Sequence, residues 1–289
     1  MTNNKQPITI RNRTFHWGEK TYLMGILNVT PDSFSDGGEF NTIEAAKAQA
    51  QHLAAAGADI IDIGGQSTRP GAAEISVSEE CDRTLPIIAA VRSLLSIPIS
   101  IDTTRAAVAQ KAIAAGADLV NDISGGTFDP DMFPVVAQLG VPMVLMHIRG
   151  TPQTMQKLTD YQDLIAEIYQ FFDTQINAAV AEGILRSHLI IDPGIGFAKT
   201  SQQNIEILQQ LPRFHDIGLP ILVGVSRKSF IGNILNKPDP KDRVWGTAAA
   251  SCSAVASGAD ILRIHDVLEM ADVSRVADTI WRRGLSFDS

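Results

Sequence analysis

About eight short apolar runs recur along the 289-residue chain, and nearly every one closes on a side chain able to bind or polarise a ligand. They finish at Asn28, Gly64-Gly65, Asp102, Asn121-Asp122, His147, Asp192, Arg227-Lys228 and Arg263-His265. Two kinds of chemistry separate. Lys228, Arg263 and His265 offer positive charge and N–H donors, which suit an anion such as phosphate. Asp102, Asn121 and Asp192 offer two carboxylates and an amide. That set suits a flat heterocycle with amino and ring N–H groups, and repels a second phosphate. Each of the three follows an apolar run, so each is expected to be partly buried, where a carboxylate needs a partner or a ligand. Taken singly, each has a plainer reading: a cation on a solvated loop, or a carboxylate paired with Arg or Lys. Lys228 is also a candidate Schiff-base amine.

These side chains meet only if their runs end on one face. Strand-like segments are expected at 22–29, 59–63, 97–101, 118–123, 142–146, 189–192, 221–225 and 260–264. Helix-like segments fall between and after them, at 42–56, 78–95, 104–115, 130–139, 158–181, 201–208, 242–257 and 268–281. Strand–helix alternation means a parallel sheet, and eight units in roughly 270 residues fit a (β/α)8 barrel, in which every strand end lines one rim. Residues 8–17 alternate as a short hairpin, so the expected organisation is an arm over 1–20 and a barrel domain over 21–285. The segments Ala56-Gly57-Ala58-Asp59, Ala115-Gly116-Ala117-Asp118 and Ser257-Gly258-Ala259-Asp260 recur where helices close and strands open. Their glycines suit a left-handed helix end. Their aspartates fall at the opposite end of the barrel, where a structural role is expected.

Composition narrows the function. The chain is 45% hydrophobic and 6% aromatic, with a net charge of −8, and it carries no basic run. Nucleic acid is not expected as a partner. Cys81 and Cys252, both in helix-like stretches, are too few for a disulfide framework or a zinc site and read as packing residues. Met1-Thr2-Asn3-Asn4-Lys5 has no apolar signal core, and no run reaches the about eighteen apolar residues of a membrane span. A soluble, cytoplasmic protein is expected. Two long loops follow the first two strands, 28–38 and 64–71, and Gly, Pro, Ser and Asp dominate them as in mobile lids. Asp32 and Asp36 are candidate ligands for a divalent cation bridging to a diphosphate, or turn caps.

At these residues the chain resembles the dihydropteroate synthase family of the folate pathway. The resemblance rests on 25–38, on Gly64-Gly65-Gln66-Ser67-Thr68-Arg69-Pro70-Gly71, on 100–103, 121–123 and 146–147, on Asp192-Pro193-Gly194-Ile195-Gly196-Phe197-Ala198-Lys199, and on 226–229 and 263–267. It implies condensation of 6-hydroxymethyl-7,8-dihydropterin diphosphate with p-aminobenzoate, giving 7,8-dihydropteroate and diphosphate, with Mg²⁺. It implies that Asp102, Asn121, Asp192 and Lys228 hold the pterin. Asn28, Arg263 and His265 would hold the diphosphate, with Asn28 near the metal. Asp36 and Arg69 would act from the loops, joining Asp102 and Lys228 in catalysis. Thr68, Pro70, Phe197 and Ser229 would shape the p-aminobenzoate pocket. A homodimer through late helices is the family's common state.

Two positions depart from the family's pattern. Gln66 stands where Glu is frequent, so it is given no catalytic role, and Ile148 is expected only to tune the pocket wall. Three rivals are kept. A folate-dependent corrinoid methyltransferase would share the pterin anchors, but no histidine here has Asp two residues before it as the corrinoid signature requires. A lysine aldolase would rest on Lys228 alone. A silent pterin-binding module would not need Asn28, Asp102, Lys228 and Arg263 together.

Overall fold

In a computed structural model the chain is described over residues 5–29, 39–68 and 71–282. The chain opens with a hairpin, β1 (Ile8–Ile10) and β2 (Arg13–Phe15). Eight strands then alternate with helices: β3 (Tyr22–Asn28), β4 (Ile60–Gly64), β5 (Ile99–Asp102), β6 (Leu119–Asp122), β7 (Met143–Met146), β8 (Leu189–Asp192), β9 (Leu222–Val223) and β10 (Ile261–Ile264). Between and after them run α1 (Glu39–Ala55), α2 (Val77–Leu94), α3 (Ala106–Ala115), α4 (Met132–Leu139), α5 (Leu164–Ala181), α6 (Ser201–Gln210), α7 (Ser229–Leu235), α8 (Val244–Ala256) and α9 (Val267–Trp281). The strands are parallel in the order β8-β7-β6-β5-β4-β3-β10-β9. A parallel bridge between Ile191 and Ile221 joins β8 to β9 and closes the ring. The expected barrel is therefore the observed architecture.

Buried on both faces, the strands are mainly aliphatic, as covered parallel strands are. One core cluster fills the layer between strands and helices. A second sits at the N-terminal mouth, where Ile8, Ile10, Phe15 and Trp17 of the arm pack on Tyr22, Ile60, Leu119, Ile190, Leu222 and Ile261. The hairpin is thus a plug on the end away from the strand tips.

The repeated aspartates perform one structural task three times. Asp59 accepts a hydrogen bond from the Leu23 amide at 2.9 Å, Asp118 from Ile99 at 2.8 Å and Asp260 from Ile221 at 2.9 Å. In each case the aspartate's own amide donates back to the same neighbour, at 2.7–2.8 Å. Each therefore locks the start of one strand to the next. Gly57, Gly116 and Gly258 precede them with φ of +105°, +116° and +86°, the left-handed geometry that lets a helix end turn straight into a strand.

Two expected segments shift and one short helix is added. The helix expected over 158–181 begins at Leu164, because the Asp163 side chain caps the Ala166 amide at 3.0 Å and fixes the start there. The strand expected over 221–225 pairs regularly only at Leu222–Val223. The chain then leaves the ladder through Arg227, at φ +58°, and enters α7, which periodicity did not reveal in seven residues. Cys81 and Cys252 are free and lie in α2 and α8, as packing residues would.

Candidate active site

Asp102, Asn121 and Asp192 end β5, β6 and β8 or stand one residue short of the end, and all three are buried at the same rim. Burial pushes the Asp102 carboxyl up, against the pull of the Arg263 guanidinium. Burial also raises Asp192, although the Gly194 amide, donating to its Oδ1 at 2.8 Å, and the nearby Lys228 favour its charged form. Lys228 follows β9 and lies with Nζ 4.2 Å from the centre of the Phe197 ring. Burial lowers its ammonium to about 8, with Asp192 the largest opposing influence. Lys228 and Asp192 are therefore close enough to act on each other's charge.

The loop after β8 is built to allow this approach. Gly194 and Gly196 have φ of +72° and +87°. A Cβ on Gly194 would fall 2.0 Å from the His147 carbonyl, and one on Gly196 would fall 2.8 Å from Lys228 Cδ. Lys199 secures the loop from beneath, donating to the Phe197 carbonyl at 2.9 Å and to His147 Nδ1 at 3.0 Å. Burial holds the His147 imidazolium down at about 2, so its Nδ1 is an acceptor for that ammonium. On the other side of Lys228, the Arg227 backbone is held in its left-handed conformation. Its amide donates to Thr247 Oγ1 at 3.0 Å, its carbonyl accepts from Arg243 Nη1 at 2.8 Å, and its guanidinium grips Asp266.

The basic side of the rim differs from the expectation of converging cations. His265 is not one of them. Burial depresses it to about 3, with Arg227 and Arg263 adding to the effect. The His265 amide donates to Ser226 Oγ at 3.1 Å, and Ser226 Oγ lies 2.9 Å from His265 Nδ1. The neutral ring carries one N–H, with Ser226 Oγ as the partner of Nδ1. His265 thus offers a neutral N–H. Arg263 is charged, since Asp62 and Asp102 outweigh the cost of its burial, but its fork is occupied. Nε donates to Asp62 and Nη2 to Asp102, each at 2.6 Å.

Asp62 was invisible to a reading of run ends, because it sits inside the apolar β4 run two residues before its tip. Its signal was a carboxylate within a strand buried on both faces, which requires an inward partner. Ser226, Arg227 and Lys199 were likewise missed: their roles are to hold the backbone and rings of their neighbours, and spacing carries no trace of that.

The other expected residues divide. Asn28 ends β3 half-buried on the same rim. Phe197 lies under Lys228, and Ser229 opens α7 just after it. Thr68 lines a cavity of about 130 Å³ with Gln66, Asp102, Thr103, Arg105 and Phe128, on the Asp102 side. Asp32, Asp36, Arg69 and Pro70 lie outside the described residues. Gln66 is a staple for its loop. Nε2 donates to the Ser67 and Ala73 carbonyls at 3.0 and 2.9 Å, and Oε1 accepts from the Ile75 amide at 2.9 Å. A glutamate would not supply the two donations. Ile148 packs with Ile123, Met146, Met155 and Phe197, in the wall beneath that ring. Among the described residues no three His, Cys, Asp or Glu side chains gather as a metal site. A Mg²⁺ shared with substrate phosphates needs only one or two protein oxygens, and the Asn28 amide fits that requirement.

Residues 24–265 match the family model described as pterin binding enzyme. A dihydropteroate synthase of Synechocystis sp. is 60% identical over 276 residues, spanning 96% of each chain. A Xanthomonas albilineans dihydropteroate synthase solved with 4-aminobenzoic acid superposes with a TM-score of 0.89 at 40% identity, covering 96% of this chain and 98% of that one. A Yersinia pestis dihydropteroate synthase in a sulfonamide drug complex gives 0.89 at 42% identity, with 95% and 99% covered. The chain belongs to the pterin binding enzyme family, among its dihydropteroate synthases.

Proposed function

We infer that the chain joins 6-hydroxymethyl-7,8-dihydropterin diphosphate to p-aminobenzoate, releasing diphosphate. The observation that carries this is one rim with two characters. Buried Asp102, Asn121 and Asp192 offer acceptors, and Lys228 lies beside them over Phe197. Arg263 and the His265 N–H follow on β10 and just after it. The ring's amino and N–H groups go to the first set and the diphosphate to the second.

The C–O bond to diphosphate breaks as the arylamine attacks the methylene carbon. Positive charge develops on the pterin methylene, and the ionised carboxylates stabilise it. Negative charge develops on the leaving group, and Arg263 with His265 stabilises that. Both groups are fixed before reaction, which is where electrostatic catalysis gains most. No protein nucleophile takes part. Asn28 would hold the Mg²⁺, which when bound neutralises charge on the departing diphosphate. Chelation is expected to weaken binding of the pterin diphosphate while leaving the bare pterin's affinity unchanged; equal effects on both would remove the metal from that subsite.

Phe197 and Ser229, beside Lys228, would border the p-aminobenzoate pocket with Thr68 and Pro70 of the second loop, and Asp36 and Arg69 would join the catalysis from the two loops. The test is chromatographic: both substrates with the enzyme yield 7,8-dihydropteroate, and a sulfonamide competes with p-aminobenzoate. Noncompetitive inhibition would contradict the pocket assignment. Loosening at the methylene should appear as a secondary deuterium isotope effect above unity, and a value near unity for the chemical step would contradict dissociative substitution.

We further propose that arm 1–20 and barrel 21–285 fold as one unit. No described helix is long and apolar enough to cross a membrane. The free thiols of Cys81 and Cys252 support the cytoplasm as the working compartment. A homodimer is supported by the exposed Trp245 on α8 and Leu268, Val276 and Ile280 on α9, two helices packed on each other.

A further inference from the structure

Three hydrogen bonds in the rim meet on two carboxylates. Arg263 Nε donates to Asp62 Oδ2 at 2.6 Å, and Asn121 Nδ2 donates to the same oxygen at 3.1 Å. Arg263 Nη2 donates to Asp102 Oδ2 at 2.6 Å. Asp62 Oδ1 has no hydrogen-bond partner, so the whole load falls on one oxygen. Asp62 is fully buried inside β4, whereas Asp102 ends β5 and opens onto the cavity.

These facts constrain what each side chain has left to offer. With Nδ2 committed to Asp62, Asn121 has its carbonyl oxygen left as an acceptor for an N–H donor of the ring. Arg263 keeps further N–H groups, but its Nη2 holds the carboxylate that the pterin's donors also need. One contact must yield when a pterin diphosphate enters. Asp62 is walled in by packed strands. The contact that opens is therefore the one to Asp102.

We propose that Asp62 is a positioning residue for this reaction: it fixes the Asn121 amide and serves as the pivot on which Arg263 turns from Asp102 to the diphosphate. The proposal rests on the reading that Asn121 meets the ring and Arg263 the diphosphate. In consequence the two halves of the substrate assist one another. Diphosphate draws Nη2 away, and the freed Asp102 accepts from the ring.

The test is calorimetric, on the full chain, with 6-hydroxymethylpterin and inorganic diphosphate as separate probes. N121A is expected to weaken the pterin and R263Q the diphosphate; if either fails to act on its own probe, the subsite reading falls and this proposal with it. Asp62→Asn keeps an acceptor without its charge and is expected to weaken each probe by about ten-fold, the scale of one charge-assisted hydrogen bond. The decisive comparison is in the double variants. The Asp62→Asn effect on pterin should fall to within about two-fold when N121A is already present, and likewise for diphosphate in R263Q, since residues acting through one another are not additive. Undiminished effects in both doubles, or no effect of Asp62→Asn on either probe, would overturn the proposal while leaving the subsite reading intact. A second measurement needs no Asp62 variant to fold. In the ¹⁵N-arginine-labelled wild type, the Nε–H signal that R263K abolishes should exchange slowly with water, both free and with diphosphate bound. Exchange at the solvent rate once diphosphate is bound would overturn the pivot.

Discussion

Charge at the rim is set by burial, and the pH dependence should show it. Asp102 and Asp192 are raised from the ordinary carboxylate value by desolvation, and Lys228 is lowered to about 8 by the same cause. As pH falls, the carboxyls take up protons earlier than free ones would, and the ring loses its anionic acceptors. As pH rises through about 8, Lys228 loses its charge. A bell-shaped kcat/KM is therefore expected, its alkaline limb near that value in the free enzyme. An alkaline limb that stays put in K228R would contradict the assignment. Asp102→Asn should lower kcat more than it weakens diphosphate binding, because an anion favours the developing methylene cation; equal losses would remove that role. Asp102, Asn121, Asp192 and Lys228 could all be picked from the sequence because strand ends expose their chemistry. Asp62 could not, since only its contacts with Arg263 and Asn121 reveal what it does.

Strands and loops carry separate duties, and substitutions should separate them. Phe15 belongs to the plug at the far mouth and is fully buried. Phe15→Ala is expected to cost about 3–5 kcal/mol in denaturant unfolding, with KM for the pterin diphosphate unchanged. A large rise in KM would mean that the plug shapes the site. Gly196 is the converse case. A methyl there meets Lys228 Cδ and Nζ at 2.8 and 3.0 Å, on a backbone of φ +87°. Gly196→Ala should cost roughly 1–2 kcal/mol of stability from the left-handed conformation alone. It should also raise KM by displacing Lys228, and an unchanged KM would contradict that contact. The barrel was legible because eight aliphatic runs alternate with helical stretches and three Gly-x-Asp corners repeat. The short α7 and the shortened β9 were not. The turn between them depends on Thr247, Arg243 and Asp266, which lie 15 to 38 positions further along the chain from Lys228.

For the molecule as a whole, two ends of one barrel divide stability from chemistry, and an apolar flank remains. Trp245 is 74% exposed and Val276 61%, on adjoining helices. Apolar residues so displayed mark an association surface when they are contiguous. Sedimentation at micromolar concentration is expected to give twice the chain mass, and Val276→Asp to shift it towards one; a monomeric wild type would contradict the dimer. Above all stands the gathering of ring acceptors and tail-binding donors at one rim so that an incoming amine displaces diphosphate. The most direct test is a coupled assay of diphosphate release from 6-hydroxymethyl-7,8-dihydropterin diphosphate, with p-aminobenzoate varied. Release should rise with p-aminobenzoate to saturation, one diphosphate for each dihydropteroate formed. Release that ignores p-aminobenzoate, or none at all, would contradict it.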